Sequence, residues 1–253
     1  MNNFFQVKSN NANIYGVWEG YSENYPVLIY CAGINAVRAD VHRIAVNLSY
    51  SLQKRNISVV RFDYYGLGIS DGFSEQMSNY SKFEDVKNIV EFLIENGVSR
   101  EKLCFLGFSD GAKVAILAAR KYNTPLILWS PLIQEDLKKE SINRFDYKSM
   151  KKNIKNKRVI SQFGFDFGLE YFKEYEVFLD EVNDHIKGFN NKGLLIYGKR
   201  DEFVIPTLQW YSDTFNGIDW CKYAVEESEH IFSNPTWKSE VINKTTDWLG
   251  KIL

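Results

Sequence analysis

Short runs of β-forming residues alternate along this chain with longer segments of helical period, and nothing else in the sequence restricts the possible fold so tightly. Val27-Leu28-Ile29-Tyr30-Cys31, Ile57-Ser58-Val59-Val60-Arg61-Phe62, Leu103 to Leu106, Leu126 to Trp129, Gly193 to Tyr197 and Trp220 to Val225 all read as strands. Several are apolar almost throughout, as strands covered on both faces must be. Between them the spacing predicts a helix from about Asp40 to Lys54, where Val41, Ile44, Ala45 and Leu48 fall on one face. A second runs from an N-cap at Ser81 to the stop signal Asn96-Gly97, a third from Gly111 to Tyr122, and a last from Thr236 to Leu249 behind Ser233-Asn234-Pro235. The polar, β-prone opening from Phe4 to Glu19 is expected to form an antiparallel edge. The predicted class is α/β, a mostly parallel central sheet with helices on both faces.

The rhythm breaks between Gln134 and Lys187. Gln134 to Ile160 holds nine Lys and Arg against four Asp and Glu, whereas Ser161 to His185 holds one Lys against seven acids, so the halves can pair. Ten aromatics lie between Gln134 and Phe189, among them Phe163, Phe165, Phe167, Tyr171, Phe172 and Tyr175. So long an aromatic and charged excursion is expected to be a cap packed over the sheet. Residues 1–133 and 188–253 then form the core, and 134–187 the cap insertion.

Composition excludes several functions. With 45% hydrophobic and 25% charged residues the chain is not disordered, and its net charge of −1 offers no attraction to nucleic acid or to an anionic membrane. Cys31, Cys104 and Cys221 show no CxxC spacing, which argues against disulfides and structural zinc and for a reducing cytoplasm. No apolar run approaches the roughly 20 residues of a membrane span, and the N-terminus does not read as a signal peptide. Gly66-Leu67-Gly68 lacks the third glycine and helix start of a dinucleotide loop and any Walker lysine. No cofactor and no metal are expected.

Chemistry concentrates at Gly107-Phe108-Ser109-Asp110-Gly111, a G-x-S-x-G turn set between the strand Leu103 to Leu106 and a helix that is apolar on nearly every side. A turn this sharp leaves no room for side chains two residues either side of the serine. It would hold Ser109 in a strained conformation with the first free amides of the helix nearby. A serine hydroxyl needs an adjacent base, itself oriented by an acid. Of three histidines, His42 falls in the first helical stretch and His185 at the end of the acidic half of the cap. His230 sits in the loop after the last strand, on the edge where the serine turn also opens. Asp201 leaves the strand Leu194 to Tyr197 at that same edge, ahead of Glu202 and the acidic loop Glu226, Glu227 and Glu229 as the candidate acid.

The order Ser109, Asp201, His230, the elbow GFSDG, the loop FDYYGLGISDG (Phe62 to Gly72) and the segment GKRDEFVIP together resemble the α/β-hydrolase superfamily, in particular its serine-aminopeptidase-like and cinnamoyl-esterase-like members. The resemblance covers almost the whole chain and is weakest over Gln134 to Lys187, where a hairpin around Val159 to Phe167 is similar to the cap of those esterases. It implies Ser109 as nucleophile, His230 as general base and then acid, and Asp201 as orienting acid. It further implies an oxyanion hole of two backbone N–H groups, Asp110 and, by position in Cys31-Ala32-Gly33-Ile34-Asn35, Ile34. Ala32 stands where the family usually has histidine. Asp110 places a carboxylate beside a developing oxyanion, which requires that it turn away or pair, with Arg38 or Lys113 as candidates. In the family the 63–72 loop is structural, Asp63, Ser70 and Asp71 making local turn contacts.

The expected function is cleavage of a carboxylic ester or thioester through an acyl-enzyme, on a small acyl substrate whose apolar or aromatic group meets the cap. The basic half of the cap would suit acyl-CoA or an acyl-carrier protein. The alternatives are a peptidase or acyltransferase with the same three residues, and a binding protein that uses the fold without turnover.

Overall fold

The structure, a computed structural model, describes residues 2–133, 159–162, 165–214 and 220–253. A hairpin of β1 (Asn2–Ser9) and β2 (Ala12–Glu19) opens the chain, β2 pairing antiparallel with β4. Then follow β3 (Val27–Cys31), α1 (Ile44–Gln53), β4 (Ser58–Phe62), α2 (Asn79–Glu95), β5 (Leu103–Phe108), α3 (Gly111–Tyr122) and β6 (Leu126–Trp129). An excursion holding β7 (Val159–Gln162), β8 (Phe165–Gly168) and α4 (Leu169–Lys187) precedes β9 (Gly193–Gly198), α5 (Leu208–Thr214), β10 (Trp220–Val225) and α6 (Pro235–Ile252).

The eight-stranded sheet has the order β1-β2-β4-β3-β5-β6-β9-β10, parallel from β4 to β10. Every residue of β3, β4, β5 and β6 is buried, because α1 and α6 pack together as one helical group and α2, α3 and α4 as another. After β3 the chain turns outward to β4, then crosses back to β5 on the other side of β3. The loops leaving β3 and β5 therefore part company above neighbouring strands, which opens a crevice at their carboxyl ends. Ser109 follows β5, Asp201 follows β9 and His230 follows β10, so all three emerge on that edge.

Some boundaries differ from the sequence reading. The first helix begins only at Ile44, because Asp40, His42 and Arg43 have φ of 54°, 51° and 58° and form a short turn instead. The N-cap of α2 is Ser78, whose hydroxyl accepts from Ser81 N–H at 3.1 Å, while Ser81 Oγ, three residues on, accepts from Ser78 N–H at 2.8 Å. Ser81 thus closes a capping box from inside the helix. β7 runs antiparallel to β8, as in the expected hairpin. Helix α4 lies along α3 and α2, with Tyr171, Tyr175, Phe178, Leu179, Val182 and Ile186 buried, so it extends a helical layer of the sheet. The 134–158 stretch, with most of the basic half of the expected cap, lies outside the described residues. Among the described residues no helix is long and apolar enough to cross a membrane.

The 63–72 loop does more than local turn work. Asp63 pairs with the Arg38 guanidinium and accepts from the N–H of Arg38 and Ile69; Asp71 accepts from Asn13 N–H at 2.8 Å, and Ser70 Oγ from Tyr15 N–H at 2.9 Å. The loop is thereby fastened to the β1–β2 hairpin. At its base the carboxylate of Asp85, buried on α2, accepts from Tyr65 N–H at 2.8 Å. Burial raises the Asp85 carboxyl from an ordinary 3.8 to about 6, more than that hydrogen bond lowers it. The folded chain therefore holds this proton more tightly than the unfolded one. The associated stability is complete below pH ~4 and is lost as pH rises through about 6. Asp85→Asn keeps the acceptor and removes the titration. In urea unfolding it should be more stable than the native chain at pH 7.5 by up to about 3 kcal/mol, the gap closing towards pH 4. Parallel pH profiles for the two chains would refute the assignment.

Candidate active site

The serine turn is compressed as its glycines require. A Cβ on Gly107 would be driven into the Cα of Ala112, and one on Gly111 into the carbonyl oxygens of Cys31 and Ala32. Ser109 has φ of 53°, a left-handed conformation costly for a residue with a side chain. Neighbouring strands hold it there. Ser109 N–H donates to Trp129 O at 2.9 Å and Ser109 O accepts from Leu132 N–H at 3.1 Å, so both peptide groups are tied to the segment at the end of β6.

The hydroxyl meets an imidazole. Ser109 Oγ lies 2.8 Å from His230 Nε2, and His230 Nδ1 lies 2.9 and 3.1 Å from the two carboxylate oxygens of Asp201. Asp201 is fully buried, and its Oδ1 also accepts from the N–H groups of Phe203 at 3.0 Å and Val204 at 3.2 Å. These amides orient the carboxylate before the histidine adds its own bond. The ring of Phe108 lies nearly parallel to the imidazole at 6.2 Å, and Phe203 meets it edge-on at 4.9 Å. The remaining opening is narrow: the His230 side chain is 13% exposed.

The histidine and aspartate loops are fastened to one another. Lys199 N–H donates to Val225 O at 2.9 Å and Arg200 N–H to Ser228 O at 2.8 Å, while the side chains of Lys199 and Arg200 pair with Glu226 and Glu227. Glu229 accepts from Ile231 N–H at 2.8 Å and Ser233 N–H at 2.6 Å, bracketing His230. The acidic loop that reads as merely solvated in the sequence thus braces the imidazole. His185 is held on α4 by Glu181 O at 2.8 Å, and His42 lies in the turn before α1. Neither enters the chain of hydrogen bonds from Ser109 to Asp201.

Ile34 and Asp110 flank the serine. A Cβ on Gly33 would stand 3.5 Å from Ser109 Cβ, which places the Gly33-Ile34 turn against the nucleophilic side chain. Asp110 is the N-cap residue of α3, directly after the serine. No histidine supports the Ile34 loop. Asp40 does so instead, accepting from Val41 N–H at 2.6 Å, Tyr30 OH at 3.1 Å and Gly33 N–H at 3.4 Å. Burial raises its carboxyl, and these three donors draw it back.

The Asp110 carboxylate turns under the elbow, away from Arg38, which is engaged with Asp63. It accepts from Lys113 Nζ at 2.8 Å and, a partner the sequence reading missed, Lys82 Nζ at 3.0 Å. Burial alone would raise this carboxyl; the fields and hydrogen bonds of the two ammonium groups outweigh it and hold the carboxyl far below the usual range. The signal for Lys82 was a charge on an apolar stripe, since Lys82, Val86, Ile89 and Leu93 share the face of α2 that turns inward. Cys31 is buried and its thiol is pushed up to about 12, so it stays protonated and unreactive. Among the described residues no three His, Cys, Asp or Glu side chains gather in a manner that would hold a metal ion.

Ser109 Oγ, the His230 imidazole and the buried Asp201 carboxylate thus form one continuous run of hydrogen bonds at the carboxyl edge of the sheet. No curated protein shows a significant match to the sequence. Among solved structures the chain is similar to Est1E from Butyrivibrio proteoclasticus with ferulic acid bound, at 18% identity over 97% of each chain with a TM-score of 0.79. It is also similar to alpha/beta hydrolase domain-containing protein 10 from mouse, at 17% identity over 99% of this chain and 100% of that one with a TM-score of 0.74. A monoacylglycerol lipase of Paleococcus ferrophilus is 15% identical over 94% of this chain and 98% of its own, with a TM-score of 0.73. At such identities the likeness establishes the α/β-hydrolase fold. A family model described as serine aminopeptidase, S33, matches residues 38–174, which take in the Ser109 turn and end before Asp201 and His230. That match spans more than half of the chain, which therefore belongs to the serine aminopeptidase S33 family of hydrolases within the α/β-hydrolase superfamily.

Proposed function

We propose that the protein is a serine hydrolase that cleaves a carboxylic ester or thioester through an acyl-enzyme at Ser109. The observation that carries this reading is the unbroken path from Ser109 Oγ through His230 to the doubly anchored Asp201. Ser109 Oγ adds to the substrate carbonyl carbon while its proton passes to His230 Nε2. The carbonyl oxygen becomes an oxyanion and takes hydrogen bonds from the N–H groups of Ile34 and Asp110. Collapse breaks the bond to the leaving alcohol or thiol, which departs with the proton from His230. Water then repeats the sequence and releases the acid. Asp201 keeps Nδ1 protonated and stabilises the imidazolium.

An apolar or aromatic acyl group suits the phenylalanines beside the imidazole, and the part of the 134–187 insertion ahead of α4 is proposed as the lid. The ferulic acid in the Est1E structure is in keeping with that choice. The family description favours a second reading, aminopeptidase activity with the same residues.

A fluorophosphonate probe should label the native chain and fail to label Ser109→Ala. The same preparation, offered p-nitrophenyl acetate, octanoate and cinnamate, acyl-CoA, and aminoacyl p-nitroanilides, should turn over esters or thioesters faster than anilides. A label that persists in Ser109→Ala would remove the nucleophile. Faster release from the anilides would move the protein to the peptidases.

A further inference from the structure

Asp110 combines two properties that oppose each other. In the proposed reaction its N–H faces the oxyanion, yet its side chain is an anion on the same residue. An aspartate at the start of a helix commonly caps its own amides, but this one makes no such bond. Its two oxygens are instead taken from below by Lys82 of α2 at 3.0 Å and Lys113 of α3 at 2.8 Å, and the three side chains are 4%, 0% and 1% exposed respectively. Lys113 Nζ also donates to Tyr175 OH on α4 at 2.9 Å. Glu174, the preceding residue, accepts from Tyr80 N–H at 3.2 Å, two residues before Lys82. Helix α4 is thus joined to both helices that bring an ammonium to Asp110.

Burying ion pairs is a poor way to gain stability, since apolar side chains of similar volume often do as well or better. What the arrangement supplies is position. Holding both carboxylate oxygens from separate helices fixes the Asp110 side chain and so the N–H end of the Ser109–Asp110 peptide, whose carbonyl end is held by Leu132 N–H at 3.1 Å and Ala112 N–H at 3.2 Å. That peptide follows a serine in a left-handed conformation, so rotation of the peptide plane would relieve strain and withdraw the donor.

We propose that Lys82 and Lys113 are positioning residues for acyl transfer, clamping Asp110 so that its N–H stays aimed at the oxyanion, with α4 seating the clamp through Tyr175. The inference rests on the reading of Asp110 N–H as an oxyanion donor. Its test compares Lys82→Met and Asp110→Asn with the native chain on a p-nitrophenyl ester, and measures inhibition by an aryl trifluoromethyl ketone, whose adduct carries the oxyanion. Each variant should lower kcat by about 10- to 100-fold with KM within about threefold, and weaken the ketone by a similar factor. Ser109 should still be labelled by the fluorophosphonate, more slowly. The near-isosteric Asp110→Asn carries the test if Lys82→Met does not fold. A native kcat in either folded variant, or a change confined to KM or to melting temperature, overturns the clamp while leaving the proposed hydrolase intact. Failure of the native chain to label at Ser109 would overturn the hydrolase, and the clamp with it.

Discussion

Alanine at Ser109 or at His230 is expected to lower kcat for ester hydrolysis by about 10⁴- to 10⁶-fold, and the double replacement by no more than the worse of the two. The 2.8 Å bond between the hydroxyl and Nε2 makes the two groups one device. Without the imidazole the hydroxyl keeps its proton at neutral pH, and without the hydroxyl the imidazole has only water to activate. Because either loss disables the same step, the effects cannot add. Both side chains emerge at the rim of the sheet, and the variants must be shown by melting temperature to remain folded, since the imidazole packs against Phe108 and Phe203. The measurement is steady-state hydrolysis of the best ester with the three variants side by side. A double variant a further 10³-fold below either single one would mean that the two act independently, and the proposed mechanism would be wrong.

Asp201→Asn should cost about 10⁴-fold in kcat with little change in structure, through the tautomer of the histidine. The N–H groups of Phe203 and Val204 both point at Oδ1 of Asp201. In the asparagine variant those donors select the amide oxygen for that place, which leaves the NH₂ at the position of Oδ2, 2.9 Å from His230 Nδ1. An NH₂ there requires Nδ1 to accept. The ring proton then moves to Nε2, which faces Ser109 as a donor and can no longer take the hydroxyl proton. Asp201→Ala lacks the misdirecting amide and should retain more activity than Asp201→Asn. The reverse order of rates would show that charge alone, and not the tautomer, is what Asp201 supplies.

Some elements of the fold are legible in the linear chain and others are not, for physical reasons. Strands β3 to β6 are legible because a strand buried on both faces must be apolar throughout, and GFSDG because its crowding admits glycine only. The expected start of α1 fails because periodicity reports only which face is apolar, while Asp40, His42 and Arg43 take up left-handed backbone that leaves no periodic trace. The acidic loop 226–229 looks like solvated surface because charge in a sequence carries no partner. Its partners, Lys199 and Arg200, lie nearly thirty residues away and meet it only because β9 and β10 are neighbours.

The order of elements, the site of the sharp turn and the residue types able to perform acyl transfer were already written in the linear chain, since each depends on near neighbours or on the period of burial. Which partner faces which side chain was settled by folding. Lys82 under Asp110, His230 between Ser109 and Asp201, and Lys199 and Arg200 against the 226–229 loop all come from segments that only the tertiary fold brings together, and hydrogen bonds act over about three ångströms whatever the separation along the chain.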